Sequence, residues 1–337
     1  MKIAIRADGG NKIGMGHVMR TLVLAKELAK TNDVFYVCKV DNSFSDRYKQ
    51  GIDKIRSQGF NVVTIDENNV FNELKNILAD CLITDSYDVN EDYFNETKKY
   101  FKLTGYIDDM NLYYFNVDFI INQNIGAEDY VYKTNKDTKL FLGTQYVMLR
   151  KEFRNISNRV INKKVSNVMI TLGGSDTNGI TNMILDYVKD SELNFHVVIG
   201  PSFEENNIQK LRELEKLKSN IKLYFNANMI EIMNKCDIAI SACGSTLYEL
   251  TVCHVPTLGI IVVDNQQQIA RKMDELGMIK NMGWYDKLLK DKFVNSLNIL
   301  CNDFVMRREI AIKAKKSIDG NGVARIAKEL KVQLHIK

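Results

Sequence analysis

Short apolar runs alternate with helix-period segments along nearly the whole chain. In the first half, residues 2–7, 34–40, 62–65, 81–84, 103–107 and 119–121 read as strands, and 147–149 as one more short strand. Between the first two, residues 16–30 place Val18, Leu22, Leu24, Ala25 and Leu28 on one helical stripe. Short, nearly continuous apolar strands separated by helices are the pattern of a parallel sheet covered on both faces. Residues 150–164 are charged and Asn-rich without periodicity, and read as a linker. The pattern then restarts, with strands expected at 168–172, 195–199, 221–225, 238–241 and 257–261, each followed by a helix. Two helices close the chain, 304–319 and 323–330, parted by Asp319-Gly320-Asn321-Gly322. The expected fold is therefore α/β: two doubly wound, Rossmann-like domains facing a central cleft, covering 1–150 and 151–337. Open sheets of this kind bind ligands beyond the carboxyl ends of their strands. The loops after Ile5, Ile83, Tyr106, Leu172, Phe225, Ile240 and Ile261 are where chemistry is expected.

Composition narrows the class. With 337 residues, 26% of them charged and 45% hydrophobic, the chain suits a globular enzyme of about two domains. No apolar run approaches the ~20 residues that span a bilayer, so no membrane association is expected. Met1 leads directly into a strand, with no charged and then apolar leader, so no signal peptide is expected. Cys38, Cys81, Cys236, Cys243, Cys253 and Cys301 show neither C-x-x-C nor zinc spacing. They read as reduced, mostly buried thiols of a cytoplasmic protein. A net charge of +4 is too small to argue for a nucleic-acid partner.

Six loop motifs carry candidate chemistry. After the first strand comes Gly14-Met15-Gly16-His17. A dinucleotide fingerprint fails at Met19, where a third glycine belongs, although Asp41 does follow the second strand. The glycines still allow backbone to approach a ligand. A histidine at a helix N-terminus is disfavoured as imidazolium, and a neutral imidazole is what a general base needs. Simple helix capping by His17 is the plainer alternative. Gly173-Gly174-Ser175-Asp176 and Ser241-Ala242-Cys243-Gly244-Ser245-Thr246 each follow a strand. Either is an ordinary tight turn or an anion site, and the pair suits a diphosphate. Glu249 follows Gly244 on the same helix and could accept ribose hydroxyls. Asp264-Asn265-Gln266-Gln267-Gln268 could meet sugar hydroxyls or acetamido groups, or be a plain loop. Thr84-Asp85-Ser86-Tyr87 ends the fourth strand. Asp108 and Asp109 suggest metal or acid–base work, or capping; with no third ligand in view, neither metal nor other cofactor is expected.

Taken together, "RADGGNKIGMGHVMR", "ITDSYDV", "YIDD", "TLGGSD", "ISACGSTLYEL", "VPTLGI" with "DNQ", and "DGNGVARI" resemble the nucleotide-sugar hydrolases of the pseudaminic acid pathway. That family cleaves UDP-2,4-diacetamido-2,4,6-trideoxy-β-L-altropyranose and is similar to GT-B glycosyltransferases, in which the C-terminal domain carries the nucleotide and the last helix crosses back to the N-terminal domain. The resemblance covers about residues 1–330. It implies that His17 activates water, that Tyr87 and Asn265 lie near the sugar, and that Arg150 and Glu249 contact the nucleotide. It also implies that Asp8 orients His17. Gly14, Gly16, Gly173, Gly174, Ser175, Gly244, Ser245, Thr246 and Gln266 would complete the substrate site. The partner expected is a UDP-sugar, on a monomer or weak homo-oligomer. The reaction implied is inverting hydrolysis at the anomeric carbon. A GT-B transferase using a UDP-amino sugar, or a non-catalytic nucleotide-sugar sensor, are the alternatives. Extra residues near 124–137 and at the C-terminus would reshape the cleft.

Overall fold

The computed structural model describes every residue except 11, 12, 42–46, 155, 158 and 337, with the backbone alone for 333–336. Two residues of the expected linker, 155 and 158, and two of the first motif, 11 and 12, thus lie outside the described residues. The chain divides into two compact units, one made of Met1–Lys151 with Asn321–Lys337, the other of Glu152–Gly320.

The first unit is built on β1 (Lys2–Ala7), β2 (Asp33–Val40), β3 (Val62–Asp66), β4 (Cys81–Asp85), β5 (Leu103–Ile107), β7 (Phe119–Asn122) and β9 (Lys139–Leu142). They lie in the order β3-β2-β1-β4-β5-β7-β9, and a small ribbon pairs β6 (Tyr114–Phe115) with β8 (Lys133–Thr134). Every pairing in the large sheet is parallel. The strand order therefore reverses between β1 and β4. Loops leaving neighbouring strands there run to opposite faces and open a crevice at the carboxyl edge. Ile3, Ile5, Val34, Tyr36, Ile83 and Ile121 pack against the helix Gly16–Leu28 in one core.

The helix Gly322–Ile336 joins that same core through Val323, Ile326 and Leu330, all essentially buried. Each such aliphatic side chain contributes roughly 1.5–3 kcal/mol on burial. Arg325 ties the helix down further by donating from Nη1 to the Gln145 carbonyl at 2.8 Å. The preceding helix, Phe304–Ser317, stays with the second unit, so the return to the first unit falls to the last helix alone.

The second unit repeats the plan with β10 (Asn167–Thr171), β11 (Asn194–Ile199), β12 (Ile221–Phe225), β13 (Ile238–Ala242), β14 (Thr257–Ile261) and β15 (Lys280–Trp284). Their order is β12-β11-β10-β13-β14-β15, again all parallel. The reversal here lies between β10 and β13, so the two glycine loops leave adjacent strands.

Three local expectations need correcting. Residues 147–149 form no strand: their apolar run is buried in a connector, where the Met148 N–H donates to Gln123 Oε1 at 2.8 Å instead of joining a ladder. Two edge strands, β9 and β15, carry too few buried apolar residues to show in the sequence, because an edge strand is covered on fewer sides.

Candidate active site

Parallel pairing sets Ala7 of β1 opposite Asp85 of β4 at the crevice of the first unit. The loop after β1 is tightly folded. Gly10 and Gly14 exchange two backbone hydrogen bonds, and Gly14 takes φ +77°. A side chain on Gly10 would place its Cβ 1.7 Å from the Arg47 carbonyl oxygen, so only glycine fits. The loop delivers His17 to the second position of the helix Gly16–Leu28. There its Nδ1 donates to Asp85 Oδ1 at 2.5 Å.

Arg20 stands one turn further along the same helix face. It donates from Nε to Asp85 Oδ2 and from Nη2 to Asp85 Oδ1, both at 2.6 Å, and from Nη1 to Asp109 Oδ1 at 2.7 Å. Asp109 also accepts the Tyr87 hydroxyl on Oδ2 at 2.7 Å and the Asn124 amide on Oδ1 at 2.9 Å. The Tyr87 ring meets the His17 ring edge-on, with centroids 4.6 Å apart and planes at 79°. Six side chains from three strand ends and one helix thus form a single network.

Its electrostatics are consistent. Burial pushes the Asp85 carboxyl up, but Arg20 and His17 beside it win and hold it below its ordinary value. Burial likewise opposes ionisation of Asp109, yet Arg20 and the Tyr87 hydroxyl bring it down to about 2. Arg20, pulled down by burial, is raised well above its ordinary value by the two carboxylates. Groups held down in this way lend stability that is complete above roughly 3.9, the ordinary aspartate value, and is lost only as pH falls through the lowered values. An ionised Asp85 can only accept. The His17 proton therefore sits on Nδ1, leaving the Nε2 lone pair for a proton from outside.

Several expectations change. Asp8 does not orient His17; its Oδ1 accepts the Lys39 backbone N–H at 2.7 Å, and Asp85 holds the imidazole instead. His17 does not cap its helix, since its ring is committed to Asp85. The paired acids after β5 are divided between two tasks. Asp109 joins the network, while Asp108 accepts the Tyr132 hydroxyl at 2.7 Å and the Asn111 N–H at 2.9 Å. The extra residues thus buttress the end of β5, Tyr132 through Asp108 and Asn124 through Asp109. Arg20 and Asp85 carried no assigned role in the sequence, although both lay within quoted motifs. The i, i+3 spacing of His17 and Arg20 was the available signal. A cavity of about 700 Å³ opens beside the network, lined by Asp8, His17, Lys39, Tyr48, Ser86 and Tyr87 among others, within the size range of small-molecule sites.

In the second unit the two glycine loops are unequal. Asp176 caps the helix Ile180–Val188, taking the Ile180 and Thr181 N–H groups at 2.8 and 2.7 Å. That helix end is already satisfied by a carboxylate, so only the loop at Gly173, Gly174 and Ser175 can meet an anion. The loop is braced by the Ser202 N–H, which donates to the Gly174 carbonyl at 2.9 Å. By contrast, the helix Ser245–Val252 starts directly after Gly244 with no side-chain cap. Its first amides at Ser245 and Thr246 keep the positive helix end open to an anion. Gln266 closes on this loop: its Nε2 lies 3.5 Å from where a Gly244 Cβ would be, and its Oε1 accepts the Val262 N–H at 3.0 Å. Glu249 is half-buried on the same helix, and Asn265 half-buried in the short turn Asp264–Gln266. Arg150 is half-buried at the end of the first unit's main segment.

Among the described residues, no three His, Cys, Asp or Glu side chains cluster so as to hold a metal, and no helix is long and apolar enough to cross a membrane. The glycosyltransferase family 28 C-terminal domain matches residues 167–290. The chain is 33% identical over 287 residues to an uncharacterised protein of Methanocaldococcus jannaschii, covering 80% of this chain and 57% of that one, so it spans little more than half that relative's length. It is 24% identical over 281 residues to the UDP-2,4-diacetamido-2,4,6-trideoxy-β-L-altropyranose hydrolase of Campylobacter jejuni, covering 82% of this chain and 97% of that one. Among solved structures, MurG of Acinetobacter baumannii superposes with a TM-score of 0.68 at 13% identity, over 98% of this chain and 99% of that one.

Proposed function

We propose, from the premise that this GT-B chain is a relative of the pseudaminic acid pathway nucleotide-sugar hydrolases, that it hydrolyses a UDP-linked 2,4-diacetamido-2,4,6-trideoxy hexose. The observation that carries the reading is the His17–Asp85 pair, which leaves Nε2 as the acceptor of a proton. His17 takes that proton from water. The water oxygen bonds to the anomeric carbon while the bond from that carbon to the UDP oxygen breaks on the opposite side, inverting the configuration. Asp85 stabilises the imidazolium that forms. UDP is a good leaving group, and its developing charge is met by the open amides at Ser245 and Thr246 and by the loop at Gly174. Glu249 and Gln266 of the second unit, and Arg150 at the end of the first unit's main segment, are the further candidate nucleotide contacts, with Asn265 a candidate near the sugar; the base belongs to the first unit.

The test uses this UDP-sugar in labelled water, with no acceptor present. UDP and free sugar should appear, and the label should be on the sugar. Label on UDP would mean attack at phosphorus. Turnover only with an added sugar acceptor would make the chain a transferase. Either result sinks the hydrolase reading.

The nucleotide assignment makes its own prediction. Neither Gly174 nor Gly244 has a positive φ, and a Cβ on either meets no backbone. Gly174→Val and Gly244→Val should therefore fold normally. Each should weaken UDP binding roughly tenfold or more, because the side chain fills the space a phosphate needs to reach the amides. Calorimetry with UDP reads this directly. Unchanged affinity in both variants would move the nucleotide elsewhere.

A further inference from the structure

Arg20 stands as close to the base as Asp85 allows. Its Nη2 lies 3.4 Å from His17 Nδ1, and both nitrogens point at the same oxygen, Asp85 Oδ1. With a proton on Nδ1, the imidazole faces a fixed cation across a shared acceptor. The Arg20 side chain is only 11% exposed, and those of Asp85 and Asp109 are more deeply buried, so water and salt screen these charges little. A cation this near opposes a second proton on the ring, and each carboxylate favours one. Arg20 sets one positive charge against two negative ones.

The other charged groups near the ring lie on the cavity side and pair with one another. Asp8, just after β1, has Arg6 at 4.0 Å, and Lys39, in β2, pairs with Asp88. Glu67 takes Arg47 at 3.1 Å and the Tyr48 hydroxyl at 2.6 Å. Tyr87, edge-on to the ring, gives its proton to Asp109. The charges that reach the imidazole through the hydrogen-bond network are therefore those of Asp85, Asp109 and Arg20.

We propose that Arg20 is a positioning residue that works by charge: held between Asp85 and Asp109, it offsets enough of their charge that His17 stays a neutral base instead of being locked as imidazolium. The kinetic consequence rests on the hydrolase reading above; the charge balance does not.

The sign of each change follows. Without Arg20, two buried carboxylates face the ring with no cation between them, and the ring keeps its second proton to higher pH. Removing the Asp109 charge acts in the opposite sense. Removing both charges restores the wild-type balance, one carboxylate against a neutral imidazole.

The experiment follows the His17 ring signal by NMR across the histidine titration range, the signal being the one that His17→Asn removes from the four histidines. In Arg20→Met the midpoint should rise by about one pH unit or more, the size expected of a charge within ~4–6 Å. In Asp109→Asn it should fall, and in Arg20→Met/Asp109→Asn it should lie near wild type. UDP release should follow the same order. The deficit of Arg20→Met relative to wild type should be about tenfold greater on the acid limb of kcat/KM than at alkaline pH, the counterpart of one unit. A mere clamp for the two aspartates would lower kcat/KM by one factor at every pH and leave the midpoint in place. Should Arg20→Met fail to fold, Asp109→Asn against the double variant isolates the same charge with one fewer buried carboxylate. A midpoint that does not rise when Arg20 is removed overturns the proposal. Failure of the hydrolase reading shows separately, as no UDP release by the wild-type protein, and leaves the midpoints readable.

Discussion

His17→Asn should lower UDP-sugar hydrolysis by roughly 10²–10⁴, the usual loss when a general base is removed. UDP affinity should stay within about twofold, since the nucleotide is assigned to loops of the other unit. Asparagine keeps polarity near Asp85 and Arg20, so the network loses one charge-assisted contact and not its scaffold. A thermal melt close to wild type would confirm that the loss is chemical. Turnover within about threefold of wild type would remove His17 as the base.

Why was the base legible in the sequence and its support not? His17 stands out because it follows Gly14 and Gly16 in the loop after a buried strand, where only small residues and backbone would be expected. The glycines beside it were read as letting backbone approach a ligand; Gly10 is required for another reason, its packing on the Arg47 carbonyl. Asp85 is different. It ends an apolar strand, where an acid is an ordinary strand-to-loop residue, and its role depends on β4 lying beside β1 in a register that puts Ala7 opposite it. The neighbour order of strands 78 residues apart in sequence is not written in local periodicity. Asp8 suffers the reverse error. It is nearer to His17 in sequence, yet β1 directs it to the Lys39 backbone. The large sheets were readable because buried parallel strands are apolar on both faces; the edges β9 and β15, the short ribbon β6–β8 and the connector at Met148 escaped.

The two glycine loops show the same limit in the second unit. They look equivalent in the sequence, each a run of small residues between strand and helix. Asp176 makes the difference. Once its carboxylate occupies the amides of Ile180 and Thr181, that helix end has no capacity for a second anion, and repulsion would oppose one. The helix after Gly244 has no such resident group. A motif that promises an anion site can already contain its anion, and only the hydrogen-bond partners reveal it.

Asp85→Asn should be nearly as damaging as loss of His17 itself, with turnover down roughly 10³–10⁴; the comparable change in a Ser-His-Asp triad costs about 10⁴. The reason lies in the three donors that Asp85 accepts. His17 Nδ1 and Arg20 Nη2 share Oδ1, and Arg20 Nε takes Oδ2. Asparagine has one acceptor oxygen for these positions. If that oxygen faces Arg20 Nε, the amide nitrogen faces Nδ1, and the imidazole must move its proton to Nε2, where it can no longer receive one from water. If the oxygen faces His17 instead, the tautomer survives, but the nitrogen opposes Arg20 Nε, and the charge that stabilised the imidazolium is gone. Both orientations lose the base, one by tautomer and one by electrostatics. Removing an ionic hydrogen bond also costs about 1.5–3 kcal/mol of stability, so the melt should fall by several degrees while UDP binding persists. Because His17 and Asp85 act as a unit, the double variant should be scarcely slower than His17→Asn alone. Additive losses, or a single Asp85→Asn variant within about threefold of wild type, would show that Asp85 merely anchors Arg20 and that the orientation of His17 comes from elsewhere.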